Sequence, residues 1–291
     1  MKITELIKKN KATISFEVFP PKSDANYESI RKAALDVAAL NPAFVSVTYG
    51  AGGGTSEYTV KLASDIQNNC GVPAMAHFTC ISSTKSIVSS QLEKLKAAGI
   101  ENVMALRGDI PEDMKGQSLD NLDYHYAVEL IREIKSKGYD FCLGGACYPE
   151  CHPESNNQKE DLIHLKEKVD AGLDFLTTQM VFDNNLFFNF MYKLREAGID
   201  VPVFPGIMPI TNAKQIERAK YLSGAFFPQR FINLVDHFGD NPKAMQQAGI
   251  AYATDQIIDL FANGIKNVHV YTMNKPEVAE KIKDNLSFML E

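Results

Sequence analysis

The sequence predicts a (β/α)8 barrel with extra helices between strands seven and eight. Three observations predict it. Short apolar, β-branched runs recur eight times along 291 residues. Most of the intervals between them carry apolar residues at helical spacing. Four intervals end on a glycine shortly before the next run, at Gly99, Gly138, Gly172 and Gly198; glycine is the residue that closes a helix with least strain. Alternating strands and helices give a parallel sheet, and eight repeats at this length close naturally on themselves. The rival is an open doubly wound sheet. No G-x-G-x-x-G follows the first run to support it, and the glycine-rich stretch 50–54 follows the second run with a different spacing.

In chain order the predicted strands are 13–18, 43–48, 74–79, 102–106, 141–146, 175–179, 201–205 and 267–272. Pro20 and Pro21 stop the first. Leu92 and Leu95 precede Ala97-Ala98-Gly99, and Leu130, Ile131 and Ile134 precede Lys137-Gly138. Leu162, Leu165 and Val169 lead to Ala171-Gly172, and Leu186, Phe187, Phe190, Met191 and Leu194 to Ala197-Gly198. The stretch 207–266 exceeds one repeat and is read as carrying added helices around 212–222 and 242–263. No low-complexity tract or linker interrupts the chain, so 1–291 is read as one domain.

Apolar residues make up 45% and charged residues 23%, the mixture of a soluble globular protein with ample core. The formal charge of −6 argues against wholesale binding to nucleic acid or to an anionic membrane. The first ten residues lack the apolar centre of a signal peptide, and no apolar run is long enough to span a bilayer. A cytoplasmic protein is expected. Five cysteines without a secretion signal read as reduced thiols. Cys147, Cys151 and His152 resemble part of a zinc site, but no second ligand pair accompanies them, so no metal is expected.

Chemistry in such a barrel belongs at the C-terminal ends of the strands, and here those ends are polar. Glu17 sits in the apolar run Ile14-Ser15-Phe16-Glu17-Val18. Desolvation there is expected to raise its pKa and let it hold a proton near neutral pH; the bland alternative is a carboxylate paired at the strand mouth. Thr48-Tyr49-Gly50, His77 and Thr79, Arg107-Gly108-Asp109, Tyr148 to His152, Thr178-Gln179 and Tyr271 to Lys275 mark other strand ends. Each has a structural explanation alone: a satisfied core histidine, a local ion pair, an amide bonded to backbone. Together they line one mouth. Aromatic, amide and hydroxyl groups with one arginine suit a large heterocyclic ligand carrying a phosphate, and not a divalent metal. No Ser-His-Asp pattern or nucleophile elbow is present.

These residues carry a resemblance. Ser15-Phe16-Glu17-Val18-Phe19-Pro20-Pro21, Val47-Thr48-Tyr49-Gly50-Ala51, His77-Phe78-Thr79-Cys80, Ala105-Leu106-Arg107-Gly108-Asp109, Tyr148-Pro149-Glu150-Cys151-His152-Pro153-Glu154, Lys168-Val169-Asp170-Ala171-Gly172, Thr178-Gln179 and Pro205-Gly206-Ile207-Met208-Pro209-Ile210 resemble methylenetetrahydrofolate reductases, in that family's order. The chain is similar to the short bacterial form. The resemblance implies a (β/α)8 barrel holding FAD non-covalently. It implies reduction of 5,10-methylenetetrahydrofolate to 5-methyltetrahydrofolate by ping-pong hydride transfer from NAD(P)H, within one-carbon and methionine metabolism, and a homo-oligomer as the expected assembly.

The resemblance further implies residue roles. Glu17 is the expected general acid toward folate N10. Asp109 is expected beside the flavin and the pterin, stabilising the cationic iminium. Gln179, Gln215 and Lys275 are expected to meet the folate, as are Glu17 and Asp109. Thr48, His77, Arg107, Gly108, Asp109, Ala127, Tyr148, His152, Asp161, His164 and Lys168 are expected to contact FAD. Three positions depart from the family pattern. His164 stands where Asn is frequent. Lys275 stands where some members have Arg, keeping charge but losing the bidentate fork. Ala219 stands where the best-known bacterial members place a nucleotide-stacking Phe, which leaves open the choice among NADH, NADPH and another donor. A folate or corrinoid methyl-carrier or methyltransferase barrel, and a non-catalytic barrel subunit, are the competing classes.

Overall fold

The computed structural model describes residues 1–290 apart from 10, 22, 50–55, 112, 113, 115, 117, 118 and 120, with backbone alone at 56, 218 and 221–223. The glycine-rich stretch 50–54 singled out above therefore lies outside the described residues. Eight parallel strands close in sequence order, with β1 (Thr13–Val18) pairing both β2 (Val45–Val47) and β8 (Asn267–Tyr271). The others are β3 (Ala74–Thr79), β4 (Asn102–Leu106), β5 (Cys142–Cys147), β6 (Phe175–Met180) and β7 (Val203–Ile207). The (β/α)8 barrel expected from the sequence is the fold observed. Strand ends differ from expectation by no more than about two residues, the usual uncertainty of boundaries.

Side chains alternate between two environments along each strand. On β1, Ile14, Phe16 and Val18 are buried in the apolar layer between barrel and helices. Ser15 and Glu17 point the other way, toward Ser46 of β2 and His269 of β8. The outer layer is filled from α2 (Tyr27–Ala39), α3 (Ser56–Cys70), α4 (Lys85–Ala97), α5 (Ala127–Ser136), α6 (Gln158–Asp170) and α7 (Asn184–Glu196). Leu92, Leu95, Leu130, Ile131, Ile134, Phe187, Phe190 and Leu194, read from helical spacing, are all buried there. The closing glycines 99, 138, 172 and 198 all have positive φ, as the helix-end reading requires.

The bottom of the barrel is plugged by a short helix that the sequence reading did not place, α1 (Ile3–Ile7). Ile3 packs with Phe44, Met75, Met104, Cys142, Phe175 and Phe204. Buried Asn102 ties the plug down: its amide oxygen accepts from the Ile3 backbone N–H at 2.8 Å, and its NH2 donates to Met1 O at 3.1 Å and Ala74 O at 3.2 Å. Such a cluster satisfies backbone groups that the barrel floor would otherwise bury unpaired.

Between β7 and β8 the chain adds α8 (Lys214–Ser223), α9 (Gln229–Phe238) and α10 (Pro242–Ala262) before α11 (Pro276–Asn285) closes the ring. Two of the three were expected; α9 was not. It is anchored by aromatic contacts, with Phe227 and Phe231 at 4.4 and 5.4 Å from Phe182 and Tyr252 at 4.9 Å from Phe231. These side chains form a second small core with Met208, Ile210 and Met245. No described helix is long and apolar enough to cross a membrane.

α10 reaches its seat only because residue 249 has no side chain. A Cβ on Gly249 would stand 1.8 Å from the carbonyl oxygen of Ile210. Backbone cannot swing aside as a flexible side chain can. Gly249→Ala is therefore expected to lower stability by at least about 2 kcal/mol, seen as a fall in melting temperature. An unchanged melting temperature would contradict this close approach.

Candidate active site

Glu17 lies where β1, β2, β3 and β8 meet inside the barrel. One carboxylate oxygen, Oε2, accepts from Ser46 Oγ at 3.3 Å. The same oxygen is 3.4 Å from His77 Nε2 and 3.6 Å from His269 Nε2. The loop after β8 folds over it. Thr272 Oγ1 donates to Glu17 O at 2.6 Å, and Asn274 exchanges two hydrogen bonds of 2.9 Å with the backbone of Phe19.

The expectation of a raised Glu17 pKa is corrected here. Burial does push it up, but hydrogen bonding from His269, the positive charge available on His77 and His269, and the Ser46 hydroxyl bring it below the ordinary glutamate value. The apolar residues that suggested a raised value, Ile14, Phe16 and Val18, face the helices and do not surround the carboxylate. His77 differs from its neighbour: burial pushes its pKa down, and its buried Nε2 has no hydrogen-bond partner among the described residues. A buried polar atom left unpaired at a cavity is a place where a ligand group can bond.

Other expected site residues gather around the ends of β4, β5 and α6. Arg107 follows β4 and directs both terminal nitrogens of its fork at Glu154, one of them at 2.6 Å. Gly108 takes φ +88°, and a Cβ there would lie 2.8 Å from Thr79 Cβ, so only glycine lets the β4 loop pack against β3. Asp109 is exposed on the same loop. Its charge and that of Arg107 both act on Tyr148, whose pKa burial pushes up to about 12. Tyr148 meets His152 edge to face at 4.6 Å.

His152 N–H donates to Asp161 of α6 at 3.0 Å, and His152 Nδ1 accepts from Glu154 N–H at 3.1 Å. Lys168, in the last turn of α6, is partly buried and donates to Ala146 O at 2.8 Å, its only hydrogen bond among the described residues. Desolvation lowers its pKa. Thr48 is joined to β1 through its N–H to Val18 O at 3.0 Å, and Ala127 is the first residue of α5.

The expected folate contacts form two groups. Gln179 is the penultimate residue of β6, with its amide oxygen accepting from the Met180 N–H at 3.0 Å. Gln215 and Lys275 meet at Thr211: Gln215 Oε1 accepts from Thr211 N and Asn212 N at 2.9 and 3.0 Å, while Lys275 Nζ donates to Thr211 Oγ1 at 2.9 Å. His164 stands apart. It is exposed on α6, 3.9 Å from Glu160 and 3.7 Å from Glu167 of its own helix. Ala219 is buried in the small core beneath α8.

Sequence reasoning named His77 but missed the other polar residues gathered behind Glu17. Ser15, Ser46 and His269 are each fully buried. A signal existed: they stand two residues before Glu17, Thr48 and Tyr271 and so share the interior face of their strands.

The chain is similar to proteins of known kind. A sequence profile described as methylenetetrahydrofolate reductase matches residues 2–287. Methylenetetrahydrofolate reductase (NADH) 1 of Zea mays is 35% identical over 300 residues, covering 100% of this chain and 51% of that protein. The chain thus spans about half the length of the plant and yeast relatives it matches. 5,10-Methylenetetrahydrofolate reductase of Escherichia coli (strain K12) is 33% identical over 269 residues, covering 92% of this chain and 88% of that one. Among solved structures, an uncharacterised protein from Clostridium thermocellum that binds two copies of 5-methyl-5,6,7,8-tetrahydrofolic acid shares the fold, with a TM-score of 0.67 at 14% identity over 99% of both chains. On the profile match and these identities, the chain belongs to the methylenetetrahydrofolate reductase family.

Proposed function

We propose that this protein is a single-domain barrel enzyme that reduces 5,10-methylenetetrahydrofolate to 5-methyltetrahydrofolate, with FAD as its bound cofactor and NAD(P)H as reductant. The observation that carries the reading is the partly buried Glu17 carboxylate at the mouth of the barrel, ringed by Ser46, His77 and His269, in a chain of this family. A scaffold has no use for a desolvated acid there. No feature of the site favours a methyl-carrier barrel over the reductase.

The donor set fits FAD. Lys168 is a partly buried ammonium with one carbonyl partner among the described residues, and Arg107 stands at the neighbouring strand end with its planar fork on the exposed carboxylate of Glu154; an ammonium and a fork that can exchange Glu154 for a ligand suit a pyrophosphate. His77 Nε2 is a buried polar atom with no hydrogen-bond partner among the described residues. Thr48, Gly108, Asp109, Ala127, Tyr148, His152, Asp161 and His164 complete the proposed flavin contacts. When bound, FAD supplies hydride transfer between nicotinamide and folate. Glu17, once protonated, delivers its proton to folate N10 as the five-membered ring opens, leaving an iminium at N5. The exposed carboxylate of Asp109 lies on the rim where it stabilises that cation. Gln179, Gln215 and Lys275 hold the pterin and its acidic tail. In the homo-oligomeric, cytoplasmic enzyme the donor would be NADH or NADPH.

Three outcomes check this reading. Purified protein is expected to be yellow and to release FAD on heating; release of FMN, or no flavin uptake from excess FAD, contradicts the cofactor assignment. Asp109→Asn keeps the shape and removes the charge. It is expected to slow folate reduction and weaken folate binding in stopped-flow measurements while sparing flavin reduction by the nucleotide; two unaffected half-reactions would make Asp109 merely structural. Glu17→Gln keeps size and hydrogen bonding but cannot deliver a proton. Folate reduction is expected to fall by about 10²–10⁴-fold with flavin reduction persisting, and near-normal folate reduction would assign the acid elsewhere.

A further inference from the structure

The hold on β1 outlasts its ladder to β8. The last register pair is Glu17 with Tyr271, yet the residues that follow are also tied down. Glu17 O accepts from Thr272 N–H at 3.3 Å and from Thr272 Oγ1 at 2.6 Å. Val18 O accepts from Thr48 N–H at 3.0 Å on the β2 side. Phe19 N–H donates to Asn274 Oδ1 at 2.9 Å, and Asn274 Nδ2 donates to Phe19 O at 2.9 Å. Pro20 and Pro21 follow and have no N–H, so Phe19 carries the last backbone donor before residue 22.

On the β8 side the chain turns away instead of pairing with Phe19. Lys275 N–H donates to Thr272 O at 3.1 Å, with Met273 and Asn274 between them at φ +55° and +54°. Two consecutive residues at positive φ mark a type I′ turn. The turn diverts the backbone groups that would have continued the ladder, and the Asn274 side chain stands in for them. A carboxamide matches a peptide unit, with an acceptor and a donor in one plane. Aspartate lacks the donor, and glutamine carries its amide on a longer arm. Asparagine also tolerates the left-handed backbone better than most residues with a side chain. Two independent demands, a backbone conformation and a pair of hydrogen bonds, thus meet at position 274. The same turn carries Lys275, whose Nζ donates to Thr211 Oγ1 at 2.9 Å.

We propose that Asn274 is a positioning residue: its side-chain amide extends the β1–β8 pairing past the end of both strands, and so sets the Glu17 carboxylate and the Lys275 ammonium in one rigid unit. Glu17 lies two residues before the clamped Phe19, and Lys275 lies next to Asn274 itself. With the clamp closed, β1 is held at residues 17, 18 and 19 from both sides, and the acid can tilt only with the whole barrel mouth. With the clamp open, the strand end is free to swing toward the prolines, and a shift of about 1 Å at a reacting group costs as much as 10²-fold in rate. Asn274 touches no substrate in this account and acts through its two neighbours. The inference rests on the reductase reading only for what Glu17 and Lys275 then do.

The test is Asn274→Gly in the holoenzyme, which keeps the left-handed backbone and removes only the side-chain amide. Hydrogen exchange of the Phe19 amide, read by nitrogen-15 NMR, is expected to quicken by about 10-fold. In stopped-flow measurements folate reduction is expected to slow by about 10-fold to 10²-fold, with flavin reduction by the nucleotide near the wild-type rate. Asn274→Asp keeps an acceptor for the Phe19 N–H and loses the donor to Phe19 O. Folate reduction is expected to slow there also, so the proposal is decided even where the glycine variant fails to fold. A merely structural asparagine would lower the melting temperature and leave both half-reactions at wild-type rates per folded molecule, and that result overturns the proposal. So does an unchanged Phe19 exchange rate in Asn274→Gly, or an equal slowing of both half-reactions. The exchange arm needs no folate chemistry. A wild-type protein in which Asn274 protects Phe19 but the folate is not reduced would sink the reductase reading and leave the clamp standing.

Discussion

The organisation of this barrel depends on keeping one carboxylate charged inside it. Taking Glu17 out of water disfavours its ionised form, and the interior face of three neighbouring strands answers that cost: Ser46 from β2, His77 from β3 and His269 from β8. Those residues need support in turn. Ser15 holds the back of His269, Phe44 and Tyr271 fix its ring, and Tyr271 is itself locked by its hydroxyl to Thr178 O at 2.6 Å. Gly206 leaves the room for that last contact, since a Cβ there would lie 2.5 Å from the tyrosine oxygen. The polar belt rests on the apolar plug of Ile3, Phe44, Met75, Met104, Phe175 and Phe204. The floor is mainly apolar and the mouth polar, so β3, β4, β5, β6 and β7 each give an apolar residue to the plug, while β1 and β8 carry the polar belt.

The rim carries a second group of charged and polar residues. Lys168 and Arg107 approach from α6 and from the end of β4, and Asp161, His152 and Glu154 hold the connecting loop in shape. Across the mouth, Thr211 joins Gln215 to Lys275, so the start of α8 and the start of α11 are set together. The small aromatic core under α8, α9 and α10 fixes that assembly to the barrel. Glu150 adds a tie of its own by accepting from the Phe226 N–H at 3.4 Å, and burial raises its pKa. The inserted helices thus support the site as well as lengthen the chain.

Much of this was legible in the sequence because periodicity reports burial. Strands buried on both faces read as short β-branched runs, and helices read from Leu92, Leu130 or Phe187 with their closing glycines. Three things were missed. α1 is five residues long, too short for a periodic signal, and is held by Asn102 from a distant strand. α9 was legible and was passed over: after Pro228, Phe231, Leu234, Val235 and Phe238 recur at helical spacing, and Phe231 makes a ring contact with Phe182. The environment of Glu17 was misread because neighbours in sequence on a strand are not neighbours in space: Phe16 and Val18 face the helices, while Ser46 and His269, distant in sequence, face the carboxylate. Barrel closure, which brings β8 beside β1, is what makes His269 the partner.

The central claim is that the fold holds Glu17 as a carboxylate against burial. Carbon-13 NMR titration of the Glu17 side-chain carboxyl in the folded protein tests it most directly, with the signal assigned by its loss in Glu17→Gln. The account predicts a midpoint below the ordinary glutamate value, because His269, His77 and Ser46 favour the charged form more than burial disfavours it. A midpoint above that value, with Glu17 still protonated as the pH approaches neutrality, would contradict it.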